Sequence, residues 1–399
     1  MASIYANAYL TIAATGSDGD SHGFFVRRTP PDYALFNYVV KDGTKGTLNA
    51  FLIPNSEAVF TNKYAELEKE PLTKRGWALQ ERTLASRVLH SSTQQLYFEC
   101  YQQFLAEDGF HYPGRFFSIH EDSGRAATNA DGSPVVSSRG MRQYRGALKL
   151  WYDALYLYWP RRLTKSSDKL PALAGIARAI EVKTGDQYVA GLWRSEMIQG
   201  LVWQAMGTPN SPTNTPLQYR ALSWSWASID GPFDTLDLEG AWPLKDTRWT
   251  DIAIVLDCHV DLKGENPYGE VLGGWISIRA PLESLSPVAR DGVYWETVPP
   301  TGHLRVKTRS GNSSGALCIL DTVNDHTASE LQLFALVMVR LQEPGVRSKD
   351  SRFQALVITP VYGVQNSYRR LGVILLGGDA LGGCEWIRDD TKHVTVTLI

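Results

Sequence analysis

The hydrophobic period changes once along this chain, and that change divides it. Before residue 207 apolar residues recur in several stretches at the spacing of a helix face. After "GTPNSPTNTP" (207–216), a linker by composition, they alternate. Ile252, Ile254, Leu256, Cys258, Val260 and Leu262 alternate with Ala253, Val255, Asp257, His259 and Asp261, which is the period of a strand. "GWISIRA", "LRVKT", "LFALVMVRL", "FQALVITPV", "GVILLG" and "HVTVTLI" continue the theme between turn signals. Residues 217–399 are therefore expected to form an antiparallel β-rich region, a sandwich or barrel. No internal repeat of solenoid type is present.

The first half reads differently. Met1 to Ala8 read as the end of a helix and Tyr9 to Ala14 as a short apolar strand. Residues 33–60 hold apolar runs that suit short strands of an insertion. "LTKRGWALQERTLASRVLH" reads as a helix and "QQLYFEC" as the strand after it, the half-step of an α/β fold. In that strand Leu96, Phe98 and Cys100 alternate with Tyr97 and Glu99. Residues 106–137 are polar and Gly-rich, "EDSGRAATNADGSPVVSS" above all, and read as a linker. A helical region is expected over 138–206. Leu148, Trp151, Tyr152, Leu155 and Trp159 share one stripe that Pro160 ends, "SSDKLPALAGIARAIEVKTGD" stops at Gly185, and "AGLWRSEMIQGLVWQA" makes a third helix. The overall class is α+β, with parts at 1–105, 106–137, 138–206 and 217–399.

Composition excludes several functions. The 399 residues carry 40 basic and 42 acidic side chains, a net charge of −2. Nucleic-acid binding normally shows as a basic excess, so no nucleic-acid partner is expected. No run of about 18 apolar residues occurs, so no membrane span is expected, and there is no basic segment before an apolar stretch of signal type. The four cysteines (Cys100, Cys258, Cys318, Cys384) lie far apart with no CxxC pairing. Free thiols in a reducing, cytoplasmic compartment are the simplest reading.

One constellation stands out, namely Arg75, Trp77, Glu81 and Arg82. Trp77, Glu81 and Leu84 have i, i+4, i+7 spacing and share a helical face. A carboxylate one turn from an indole is partly desolvated, which suits general acid/base work or a contact to ribose hydroxyls. The competing reading pairs Glu81 with Arg82, Arg87 or a loop backbone and makes Trp77 plain core. Asp18 and Asp20 in "GSDGDSHGF" lack the further ligands of a cation loop. The eight histidines show no metal-ligand spacing, so no metal is expected. GxSxG, a Walker loop and GxGxxG after a strand are all absent. Trp224 and Trp226 either alternate in a buried strand or line a partner surface.

Taken together, "IYANAYLTIAAT", "RGWALQERTLASRVLH", "QQLYFEC", "SDKLPALAGIA", "AGLW" and "YRALSWSWASIDG" resemble the fungal heterokaryon-incompatibility (HET) domain proteins. The β-rich tail is similar to the family's C-terminal region. The resemblance implies a filamentous-fungal source and a role in non-self recognition and regulated cell death. It also implies a partial TIR-like, flavodoxin-like α/β segment. By analogy with TIR domains that cleave NAD, Glu81 would be the catalytic carboxylate, Trp77 its shield, and Arg75 and Arg82 pocket support. NAD would then be a substrate, with no bound cofactor.

The family's opening motifs, like A-L-S-Y-x-W-G and W-I-D-x-L-C-I-x-Q, do not precede "IYANA" here. The expectation is a segment truncated at its N-terminus, with an unpaired strand edge and weak or absent activity alone. Two other functions stay open. One is a non-catalytic interaction protein, with an unidentified protein partner such as an incompatibility protein, or a second copy in a homo-oligomer. The other is an accessory enzyme of fungal specialised metabolism.

Overall fold

The computed structural model describes residues 2–25, 28, 34–50, 66–115, 147–207, 211–234, 248–288, 295–296, 303–308, 316–322, 331–342, 351–378, 391 and 393–399. It combines helices with strands, and its C-terminal region is antiparallel and β-rich. The chain forms two compact units, Met1–Arg139 and Gly140–Ile399.

The first unit begins with α1 (Ala2–Ala6) and β1 (Thr11–Ala13). The hairpin β2 (Ala34–Val39) and β3 (Lys45–Ala50) follows, then α2 (Gly76–Leu84). Four strands come next: β4 (Arg87–Ser91), β5 (Leu96–Cys100), β6 (Gln103–Ala106) and β7 (His111–Pro113). The five-stranded sheet has the order β1-β4-β5-β6-β7. β1 runs parallel to β4, with Thr11 opposite Val88 and Ala13 opposite His90. The other neighbours are antiparallel.

The strand that completes the β–α–β step is thus "RVLHS", inside the stretch expected to be helix. The chain turns extended at Ala85 (φ −68°, ψ 133°), and Val88 and His90 then alternate into the core. The hydrogen bond from Ser92 N–H to Gln95 O closes a turn that sends β5 back. β6 and β7 occupy residues 103–113, overlapping the start of the expected linker. "EDSGRAATNADGSPVVSS" lies outside the described residues. Leu67, Tyr97, Phe104 and Ala106 form the core. Tyr97 and Glu99 are the buried side of β5, while Leu96, Phe98 and Cys100 are half-buried. The polarity of that strand therefore points to the wrong face.

The second unit opens with α3 (Ala147–Tyr158) and α4 (Ala174–Thr184). Pro171 begins a 3-10 turn before α4, so the expected second helix starts later than its sequence suggests. Gly185 closes α4 as expected, its N–H donating to Glu181 O at 2.7 Å. The expected third helix is instead the hairpin β8 (Tyr188–Val189) and β9 (Leu192–Trp193), the short α5 (Met197–Leu201) and β10 (Gln204–Ala205). Ala190 and Gly191 both have positive φ (46° and 97°), the backbone of a two-residue hairpin turn. β10 pairs with β11 (Phe233–Asp234).

An aromatic core holds this hairpin. The Trp151 ring meets Trp193 edge-on at 5.8 Å and Tyr188 at 5.6 Å. The indole N–H groups of Trp151 and Trp226 both donate to Gly191 O, at 3.0 and 2.9 Å. Trp224 and Trp226 are fully buried, which removes them as a partner surface. Trp226 lies in a 3-10 turn rather than a strand.

The β-rich region comprises β12 (Arg248–Asp251), β13 (Ile254–Leu262), β14 (Val271–Pro287), β15 (Trp295–Glu296), β16 (His303–Thr308), β17 (Ala316–Leu320), β18 (Leu333–Gln342), β19 (Arg352–Pro360), β20 (Ser367–Gly377) and β21 (His393–Leu398). The antiparallel pairings β14–β16, β16–β17, β17–β20, β20–β19, β19–β18 and β18–β14 close a ring. All six strands send alternate side chains into one core, including Leu285, Leu304, Cys318, Val337, Phe353 and Ile374. A closed ring leaves those strands no free edge. Among the described strands β13 pairs only with β14, and Ile254 and Leu256 stay exposed although their alternation signals a strand. Arg370 pins the ring to the aromatic core. Its guanidinium pairs with Asp321 at 2.8 and 2.9 Å and donates to Leu201 O and Trp203 O.

Candidate functional site

Arg75 precedes α2 in extended conformation and is exposed. Trp77 and Glu81 lie one turn apart on the helix, both half-buried. Tyr5 of α1 hydrogen-bonds to the Glu81 carboxylate. Burial first, and then the carboxylate's charge and hydrogen bond, push the Tyr5 phenol above its usual range. Among the described residues Glu81 thus has a hydroxyl neighbour rather than the Arg partner the sequence offered.

Arg82 belongs to a second, buried constellation. Its Nε and Nη2 donate to Glu99 Oε1 and Oε2 at 2.6 and 2.9 Å, and Nη1 donates to Glu68 Oε1 at 2.8 Å. Arg115 Nη2 reaches Glu99 Oε1 at 3.2 Å, while its Nη1 donates to Ala85 O at 2.7 Å, tying down the end of α2. Burial alone would raise the Glu99 carboxyl, but the Arg82 charge and the hydrogen bonds of Arg82 and His90 outweigh it. They hold Glu99 well below the usual carboxylate range. Burial, then the charges of Arg82 and Arg115, push the His90 imidazole down against the opposing pull of Glu99. With the ring neutral, Nε2–H faces Glu99 Oε1 at 3.2 Å and Nδ1 accepts from the Thr15 hydroxyl at 3.0 Å.

Hydroxyl, imidazole and carboxylate in this order have the layout of a nucleophile with its base. Thr15 is, however, fully buried, and Glu99 is neutralised by two arginines. The chain of contacts joins the turn after β1 to β4 and β5 and serves as a pin. Nothing in the sequence singles out Glu99, His90 and Arg115 as a group. The pairing of Arg87–Ser91 with Leu96–Cys100 sets Val88 opposite Glu99 and His90 opposite Tyr97, so that His90 and Glu99 are diagonal neighbours, and Arg115 reaches Glu99 from beyond the end of β7.

The carboxyl ends of parallel strands are where open α/β sheets receive ligands. Here that end holds Thr15, whose carbonyl accepts from Leu72 N–H at 3.2 Å, and Gly16, whose N–H donates to Ser91 O at 2.8 Å. Glu70 lies beside them. Its Oε1 accepts from the Thr93 N–H and hydroxyl at 3.0 and 2.6 Å, whereas its buried Oε2 has no partner among the described residues. Glu81 is five residues beyond Gly76 along α2, about 7–8 Å by helix rise. Among the described residues no three metal-ligating side chains converge, and no helix is long and apolar enough to cross a membrane.

Residues 1–81 match the family model of heterokaryon incompatibility protein (HET). The matched HET segment runs from α1 through β1 and most of α2, and its last residue is Glu81. It covers about a fifth of the 399 residues. No curated protein and no solved structure matches the chain.

Proposed function

We propose that the chain is an incompatibility-type protein of a filamentous fungus, acting in non-self recognition and regulated cell death through its HET segment. The observation that carries this reading is the family match over residues 1–81. The chemical step is assigned to Glu81. A half-buried carboxylate beside an indole and a phenol suits acceptance of hydrogen bonds from the nicotinamide-side ribose of NAD while Trp77 limits water. Arg82 is already committed to Glu99 and Glu68, so of the two arginines assigned to the pocket only the exposed Arg75 is left to meet a dinucleotide's phosphates. Turnover is accordingly expected to be slow. The purified chain incubated with NAD should release nicotinamide slowly, and Glu81→Gln should abolish the release. Release that persists unchanged in the Glu81→Gln chain would rule out this role for Glu81.

A second reading, an interaction protein without catalysis, draws support from the apolar hairpin β2–β3, which stands exposed in the first unit.

A further inference from the structure

The two-stranded ribbon β2–β3 has exposed residues throughout β2. Leu35, Phe36, Tyr38, Val39, Val40 and Leu48 are 43 to 64 % exposed. A lone hairpin of this size is marginal in water, so an apolar one calls for a partner.

Its register shows which partner fits. Val40 N–H donates to Thr44 O at 2.8 Å, and the pairs run Tyr38–Gly46, Phe36–Leu48 and Ala34–Ala50. Hydrogen-bonded and non-bonded pairs alternate in an antiparallel ladder. The even residues of β2 therefore spend their backbone groups on β3. Leu35, Asn37 and Val39 turn theirs to the outer edge, where no described strand pairs with them. The side chains of β2 read the same way in both directions about Asn37: Phe36 mirrors Tyr38, Leu35 mirrors Val39, and Ala34 mirrors Val40.

From this we infer that β2 pairs antiparallel with β2 of a second copy of this chain, about a two-fold axis at Asn37. Six hydrogen bonds close the joint. Two link Asn37 to its mate, and two link Leu35 to Val39 on each side. Phe36 then faces Tyr38 of the second copy at a non-bonded pair, where side chains approach most closely and aromatic pairs are favourable. Leu48 of each copy extends the same apolar face, because it pairs with Phe36. The Thr47 hydroxyl donates to Asn37 Oδ1 at 3.5 Å, leaving the Asn37 amide N–H groups for the axis.

The assembly stops at two copies. β3 presents Lys45 and Thr47 at the opposite edge, and lysine blunts edge pairing, whereas β2 carries neither charge nor proline. The tip, Lys41-Asp42-Gly43-Thr44-Lys45, is polar, which disfavours a lipid bilayer as the occupant.

Sedimentation of the full chain across the micromolar range should show a monomer–dimer equilibrium. Asn37→Lys places two ammonium groups on the axis and should weaken the dimer by about tenfold or more. Asn37→Cys should form a disulfide-linked dimer under mild oxidation, since paired Cα atoms at about 5.5 Å fit a disulfide. Thr47→Cys, one strand farther out, and the unchanged chain should not. Amide exchange in the hairpin confirms that each variant keeps its fold. A chain that stays monomeric, assemblies larger than two copies, or a dimer indifferent to Asn37→Lys and not captured by Asn37→Cys would each overturn the proposal.

Discussion

Glu99 keeps its charge inside the first unit because two guanidinium groups and an imidazole meet it there, and this makes the unit sensitive to acid. The folded His90 ring titrates below its ordinary 6.5, so between those two values the unfolded chain binds a proton that the folded chain does not. The stabilisation is whole above pH 6.5 and is lost as pH falls toward the folded value. Glu99 repeats this below its ordinary 4.5. Each unit of depression is worth about 1.4 kcal/mol. His90→Gln, which keeps a donor and an acceptor, should flatten the urea midpoint of the first unit between pH 7 and 5 while leaving the fall below pH 4.5. A His90→Gln chain that still weakens between pH 7 and 5 like the unchanged one would contradict this. The readout must resolve the units, because Glu196 in the second unit acts with the opposite sign. Burial and then Asp186 push it up to about 7, so its contribution diminishes as pH rises from 4.5 through 7. None of these groups was legible in the sequence. Alternation in "QQLYFEC" assigns the apolar side inward, and only the arginines arriving from α2 and from Arg115 make Glu99 the buried side.

At the scale of elements, long periodic runs were legible and short ones were not. The strands of the β ring carry alternation over many residues, and α3 carries one apolar stripe that ends before Pro160. "AGLWRSEMIQGLVWQA" misleads because a stretch so short fits both periods, and Trp packing settles it. The deciding residue is Gly191. Its φ is 97°, and a Cβ there would stand 2.7 Å from the Trp226 indole nitrogen. Gly191→Ala should therefore destabilise the second unit by about 1–3 kcal/mol, from the backbone conformation alone. Displacement of Trp226 adds to that cost. Thermal unfolding followed by tryptophan fluorescence reads it directly, since eleven of the 12 tryptophans lie in the second unit and Trp77 alone lies in the first. An unchanged midpoint would show that the Ala190–Gly191 turn is not what holds the aromatic core. The "RVLHS" strand was hidden for a related reason. It follows α2 after only Ala85 and Ser86, and its leucine and valine extend the helical stripe in the sequence.

For the whole molecule, the family match and the structure divide the chain in compatible ways. The HET segment, residues 1–81, falls wholly within the first unit, and the β ring with its aromatic core makes up the second. Family-specific strings such as "IYANAYLTIAAT" and "RGWALQE" were legible because they combine several residues in order. The placement of Glu81 beside Tyr5, and of Arg82 away from it, depends on how α1 packs on α2, which no string encodes. Whether the HET segment acts through Glu81 decides what the chain does. The most direct measurement is the viability of a filamentous fungus after induced expression of the full chain, beside Glu81→Gln at equal protein level. Induction is expected to lower viability, and Glu81→Gln to restore it. Full viability with the unchanged chain, or an equal loss with both, would contradict it.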